Sequence, residues 1–78
     1  MLINQYQYMN TNEMRKELIE YTRNRKGITK KELAKLLDIT YPTMLSKLNN
    51  PASLKLSEVD RICRVLRINL TEFLTINN

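Results

Sequence analysis

Six basic side chains fall between positions 23 and 35: Arg23, Arg25, Lys26, Lys30, Lys31 and Lys35, opposed only by Glu32. Cations at this density either coat a solvated helix face or neutralise a polyanion, and composition alone favours the first. A second group follows over 41–49, short polar side chains among apolar ones, with no acid. Lysines beside such a group meet the two demands of a nucleic-acid contact. Charge serves the phosphates, and short-range hydrogen bonding or methyl contact serves the base edges. The same inventory argues against catalysis. The chain has no histidine, so it lacks an imidazole base and a histidine-type metal cluster. Its single glycine, Gly27, excludes a glycine-rich phosphate loop. Ser46, Ser53 and Ser57 have no evident base partner. The chain is expected to bind rather than to catalyse, with no cofactor, no metal and no small-molecule ligand.

The elements that must hold these residues are read from their start and stop signals. A first helix is expected from Asn10-Thr11-Asn12 to about Arg25, with Met14, Leu18, Tyr21 and Thr22 on one stripe, Ile19 widening it, and Gly27 as a left-handed stop. A second opens on the capping box Thr29-Lys30-Lys31-Glu32, carries Leu33, Ala34, Leu36 and Leu37, and closes at Asp38. A third takes Thr40 as cap and Pro42 in its first turn and runs to Leu48; Tyr41, preceding the proline, leaves its start open by one residue. A fourth is expected from Ser57-Glu58-Val59-Asp60, with Val59, Ile62, Cys63 and Leu66 on its apolar face. Asn69 and Glu72 frame a last short turn that buries Phe73 and Leu74. Residues 1–11, rich in Asn, Gln and Tyr, read as an arm expected to be disordered, since nothing in them repeats with a helical or strand period. The domain is expected over 12–76. The fold class is all-α: a compact bundle of about five short helices.

Two short helices joined by a tight turn, the second entered through a capped, proline-marked start, form a helix-turn-helix over about 29–48. Ala34 is small where the two helices cross, Asp38 tolerates the left-handed turn, and Ile39 plugs the angle. At about 100° per residue, Met44 and Leu48 point to the core. Pro42 and Ser46 then point away, flanked by Thr43 and Asn49, with Tyr41 and Lys47 at the edges.

In Gly27-Ile28-Thr29-Lys30-Lys31-Glu32-Leu33-Ala34, in Ile39-Thr40-Tyr41-Pro42-Thr43-Met44 and in Leu66-Arg67-Ile68-Asn69-Leu70-Thr71-Glu72-Phe73-Leu74, the chain resembles the lambda-repressor-like, Cro-type helix-turn-helix family. In Lys47-Leu48-Asn49-Asn50-Pro51 it is most similar to small regulators of phages and integrated elements. The resemblance implies base contacts from Tyr41, Pro42, Thr43 and Ser46. It implies backbone contacts from Lys30, Lys31, Lys47, Asn49, Asn50 and Lys55. The implied partner is an operator in double-stranded DNA, bound by a homodimer whose half-sites lie about 34–36 Å apart. The family's usual turn glycine is Asp38 here. Its usual apolar residue late in the reading helix is Lys47, with Leu48 one place later, which admits a rotation of that helix.

Length and charge set the frame. Seventy-eight residues make one domain, and +5 with a pI of 9.6 suits a polyanionic partner. No apolar run approaches the roughly 18 residues needed to span a bilayer, and Met1-Leu2-Ile3-Asn4-Gln5-Tyr6 lacks the order of a signal peptide. The lone Cys63 fits a reducing compartment and a buried hydrophobe's role, so a cytoplasmic protein is expected. Transcriptional regulation is the leading reading. A protein-binding inhibitor or antirepressor on the same fold stays open beside it, because fold does not fix function and the third helix offers few hydrogen-bond donors.

Overall fold

The computed structural model describes residues 10–76. It contains five helices: α1 Thr11–Lys26, α2 Lys30–Leu36, α3 Tyr41–Asn49, α4 Leu56–Leu66 and α5 Leu70–Leu74, with a single 3₁₀ turn at Pro51–Ser53 between α3 and α4. No strand occurs among the described residues. The expected arm falls, over 1–9, outside them; Asn10 and Thr11 already serve as the cap and first residue of α1.

Three of the helices end in the same way. Gly27, Asp38 and Arg67 adopt left-handed backbone, with φ of 68°, 57° and 57°. The isoleucine after each, Ile28, Ile39 or Ile68, donates its amide back to a carbonyl five residues earlier: Arg23 (3.1 Å), Ala34 (3.0 Å) and Cys63 (2.9 Å). These bonds occupy carbonyls that a helix end leaves orphaned. Each isoleucine packs against the core, and the residue after it caps the next helix. Thr29 accepts from the Glu32 amide (3.0 Å), Thr40 from the Thr43 amide (3.3 Å) and Asn69 from the Glu72 amide (2.9 Å). A three-residue corner thus stops one helix, anchors the chain and starts the next.

The corners bring together a core of Ile19, Leu33, Ala34, Leu37, Met44, Leu48, Val59, Ile62, Cys63, Leu66 and Phe73, each at most 6% exposed. α2 and α5 are too short to be stable alone and are held by this packing. Arg15 adds a clamp. It donates from Nε to the Phe73 carbonyl (3.0 Å) and from Nη2 to the Leu74 carbonyl (2.9 Å), with its guanidinium 5.5 Å from the Phe73 ring centroid. The last carbonyls of α5 are thereby satisfied from α1.

Four expectations are corrected. Tyr21 is 59% exposed, because the buried side of α1 centres on Ile19 and Tyr21 lies about 200° from it. Leu36 is 53% exposed, since Leu33, Ala34 and Leu37 already fill the core face of α2. Leu74 is 44% exposed, leaving Phe73 as the buried residue of α5. Finally, α4 is capped at Lys55 rather than Ser57: the Glu58 carboxylate accepts the Lys55 amide (2.8 Å), and helical geometry starts at Leu56. A lysine side chain has no acceptor, so only this half of a capping box forms.

Cys63 is buried as expected. Burial pushes its thiol above the ordinary value, and the Asp60 carboxylate adds to the rise. It should therefore resist thiol reagents until the protein unfolds; rapid labelling under native conditions would contradict its placement. Leu37→Ala should cost about 2–5 kcal/mol in urea denaturation, because it empties space between α2 and its neighbours. Ser46→Ala, on an exposed position, should stay within about 0.5 kcal/mol of wild type.

Candidate nucleic-acid interface

The cap at Thr40 orients the start of α3. Thr40 accepts the Thr43 amide and also donates its hydroxyl to Thr43 Oγ1 (2.8 Å). That second bond restrains the Thr43 side chain and leaves the Thr43 hydroxyl hydrogen available to an outside acceptor. Pro42 occupies the first turn, where the missing amide proton costs nothing. From this start, Tyr41, Pro42, Thr43, Leu45, Ser46 and Asn49 are all exposed, while Met44 and Leu48 are buried. The exposed side carries no acid.

Two lysines from α2 flank this face. Lys31 Nζ lies 5.5 Å from the Tyr41 ring centroid, a cation–π contact joining a candidate phosphate ligand to a candidate base reader. Lys30 lines a cleft of about 520 Å³ together with Lys16, Leu45, Ser46 and Asn49. Glu20 also borders the cleft, but its charge is met by Arg23 at 2.8 Å.

Helix α1 ties down the far end of α3. Lys16 Nζ donates to Asn49 Oδ1 (2.8 Å), and Asn12 Nδ2 donates to Asn50 Oδ1 (2.8 Å). Asn12 Oδ1 in turn accepts the Ala52 amide (2.7 Å), fixing the 3₁₀ turn. Both asparagines spend their carbonyl oxygens within the fold and keep their amide groups as the side available to phosphates.

The structure therefore gathers Lys30, Lys31, Tyr41, Pro42, Thr43, Ser46, Asn49 and Asn50 around one face. Lys55 is exposed at the cap of α4, beyond the 3₁₀ turn. Lys47 is the exception. Its side chain is only 16% exposed and its ammonium sits 2.6 Å from Glu58, so it joins α3 to α4 instead of extending the outer face. The helical wheel sets it at the edge of the outer face; in space it lies between the buried residues and the rim, turned to Glu58. Lys16 and Leu45 are additions. Leu45 was readable from the helical wheel, about 100° from Ser46. Lys16 was not, because its place depends on a contact across 33 positions.

A family model described as the Cro/C1-type HTH DNA-binding domain matches residues 18–78, which include both helices of the motif and the whole cleft except Lys16. No curated protein matches the chain.

The Lys47–Glu58 pair makes stability depend on pH. Burial raises the Glu58 carboxyl, but the hydrogen bond from Lys47, the Lys55 amide and the charges of both lysines outweigh it, so the carboxyl is held below its ordinary value of 4.5. A carboxyl lowered in the folded state contributes stability in full above that ordinary value and loses it as pH falls through the folded one. Glu58→Gln should cost roughly 1–3 kcal/mol at neutral pH, because it leaves Lys47 covered and unpaired. The two proteins should converge in urea denaturation as pH is lowered below 4.5. A constant difference across that range would mean the pair contributes nothing electrostatic.

Proposed function

The chain belongs to the Cro/C1-type helix-turn-helix DNA-binding family, and on that premise we infer that it is a sequence-specific transcriptional regulator that binds an operator in double-stranded DNA as a homodimer. The observation that carries this reading is the outer face of α3. It is exposed from Tyr41 to Asn49, free of acid, and bordered by Lys30 and Lys31. Such a face enters a major groove without phosphate repulsion, and lysines at its margins meet the backbone on either side.

Roles divide along these lines. Lys30, Lys31 and Lys16, with Asn49, Asn50 and Lys55 at the other end, take the phosphates and fix the register. Thr43 and Ser46 hydrogen-bond base edges, while Pro42 and Leu45 meet thymine methyls and Tyr41 packs at the entrance. With so few donors, part of the specificity comes from the shape and stiffness of the duplex. The exposed Leu56, at the start of α4, and Leu74 on α5 are apolar residues through which two copies can meet. Similarity to small regulators in Lys47-Leu48-Asn49-Asn50-Pro51 supports a setting in a phage or mobile element, with repression as the mode that blocking an operator provides. The same shortage of donors favours the second reading, a protein-binding inhibitor or antirepressor that has given up DNA.

Fluorescence-anisotropy titration on a selected operator and on scrambled duplex, repeated across salt concentrations, separates the two. Each neutralised phosphate should contribute about −0.9 to the slope of log affinity against log salt. Lys30→Ala should weaken binding to all sequences alike and flatten the slope by about one. Thr43→Ala or Ser46→Ala should alter the preferred sequence and leave the slope nearly unchanged. Lys47→Ala should also leave the slope unchanged, since its charge faces Glu58. Absence of duplex binding by the wild type even at low salt would remove the DNA reading and leave the protein-binding one.

A further inference from the structure

α1 has two flanks. Lys16 and Glu20 lie on the flank that faces α3, and Tyr21 and Arg25 lie on the other. There the C-terminal ends of α1 and α4 enclose a second cleft of about 420 Å³, with the exposed Tyr21 ring as one wall, the buried Leu66 behind its base, and Arg25, Lys26 and Arg67 around the rim. No acidic side chain lines it. The ion pairs among the described residues are Arg23–Glu20, Lys47–Glu58 and Arg64–Asp60, so none of these three cations has an acidic partner. Arg25 is held over the Tyr21 ring, 5.7 Å from its centroid.

Cations near helix C-termini stabilise the helix dipole, and that accounts for the sign of Arg25 and Lys26. The same dipole accounts for the charge of Arg67 at the C-cap of α4, but not for an arginine on its left-handed backbone. This residue sits at φ 57°, the position that Gly27 fills without strain at the end of α1. An arginine there carries a backbone cost that glycine would avoid. A strained residue whose side chain makes no hydrogen bond or ion pair among the described residues marks a side chain wanted for something outside the fold.

We propose that this cleft binds an acidic segment of a partner protein, one in which Asp or Glu side chains flank an apolar or aromatic residue. The carboxylates pair with the guanidinium forks of Arg25 and Arg67, which suit planar oxyanions, and the apolar residue packs on the Tyr21 ring. A polypeptide fits better than a second duplex. Phosphates would use the rim but leave the aromatic wall unoccupied, and the flank is turned away from the α3 face. The site would let the protein hold DNA on one side of α1 and a protein on the other.

The test uses the full chain and a fluorescein-labelled peptide alternating Glu and Phe, with a Gln/Phe peptide of equal length as control. The acidic peptide should bind, the control should bind at least about tenfold more weakly, and amide shifts in ¹⁵N–¹H spectra should centre on Tyr21, Thr22, Lys26 and Arg67. Arg67→Gly removes the side chain while relieving the backbone, so loss of binding cannot be laid to misfolding. Arg67→Gly and Arg25→Gln should each weaken peptide binding about tenfold and leave the affinity and salt slope on duplex DNA unchanged. Shifts centred instead on Lys16, Lys30 and Ser46 would overturn the proposal, as would equal binding by the variants or no binding at low salt. Parallel loss of duplex affinity in both variants would reassign the cleft to DNA. Failure of peptide binding with duplex binding intact would remove this inference alone.

Discussion

The left-handed corner is the constraint on which the rest of the fold depends. At Gly27, Asp38 and Arg67 the chain reverses within one residue, docks an isoleucine and caps the next helix. The orientation of α3 relative to α2 rests on the second of these. If Asp38 left the left-handed region, Ile39 would lose both its bond to the Ala34 carbonyl and its seat on the core, and Thr40 would no longer stand where it caps α3. The three corners use residues of rising conformational cost: glycine, aspartate, arginine. Only packing and capping on both sides can hold the last two in place.

Once the corners set directions, a small core suffices. Eleven buried residues span all five helices, and polar clamps from α1 close the remaining seams. Arg15 satisfies α5, Arg23 bonds the Ile28 carbonyl (2.8 Å) beneath the first corner, and Asn12 fixes the turn after α3. α1 is thus the hub, although Ile19 is its only buried residue. Its long polar side chains reach past the core's edge to carbonyls and amides that helix ends leave open.

The parts legible in the sequence are those decided locally. Thr29 with Glu32, Thr40 with Pro42, and the pairing of Met44 with Leu48 each depend on residues a few positions apart. Local patterns place the motif and most of the outward face of α3. What was not legible depends on distant partners. Lys47 looked like an exposed lysine until Glu58, eleven positions on, proved to be beside it. Lys55 became a cap because a carboxylate three residues later reached back, where Ser57 had the better intrinsic propensity. Tyr21, Leu36 and Leu74 fit apolar patterns but lie outside a core too small to cover them. The repeated corner escaped notice because its first residue differs each time, and only the isoleucine and the cap that follow are constant in kind.

The contacts that hold the reading face are of two strengths, and their placement has a consequence for recognition. Met44 and Leu48 are buried, and the Lys47–Glu58 pair is largely covered, so the inner side of α3 is fixed. The bonds from Lys16 to Asn49 and from Asn12 to Asn50 are exposed, and exposed hydrogen bonds contribute little net free energy because water competes for both partners. In the proposed DNA-binding role, Lys16 can therefore exchange its bond for a phosphate at small cost, and Asn49 and Asn50 can turn their amide groups to phosphates, while α3 stays where the core has put it. A domain this small cannot spend stability on rearrangement. Separating a rigid inner side from an outer rim of weak, replaceable bonds would let it meet a backbone of variable shape without moving the residues proposed to read the bases.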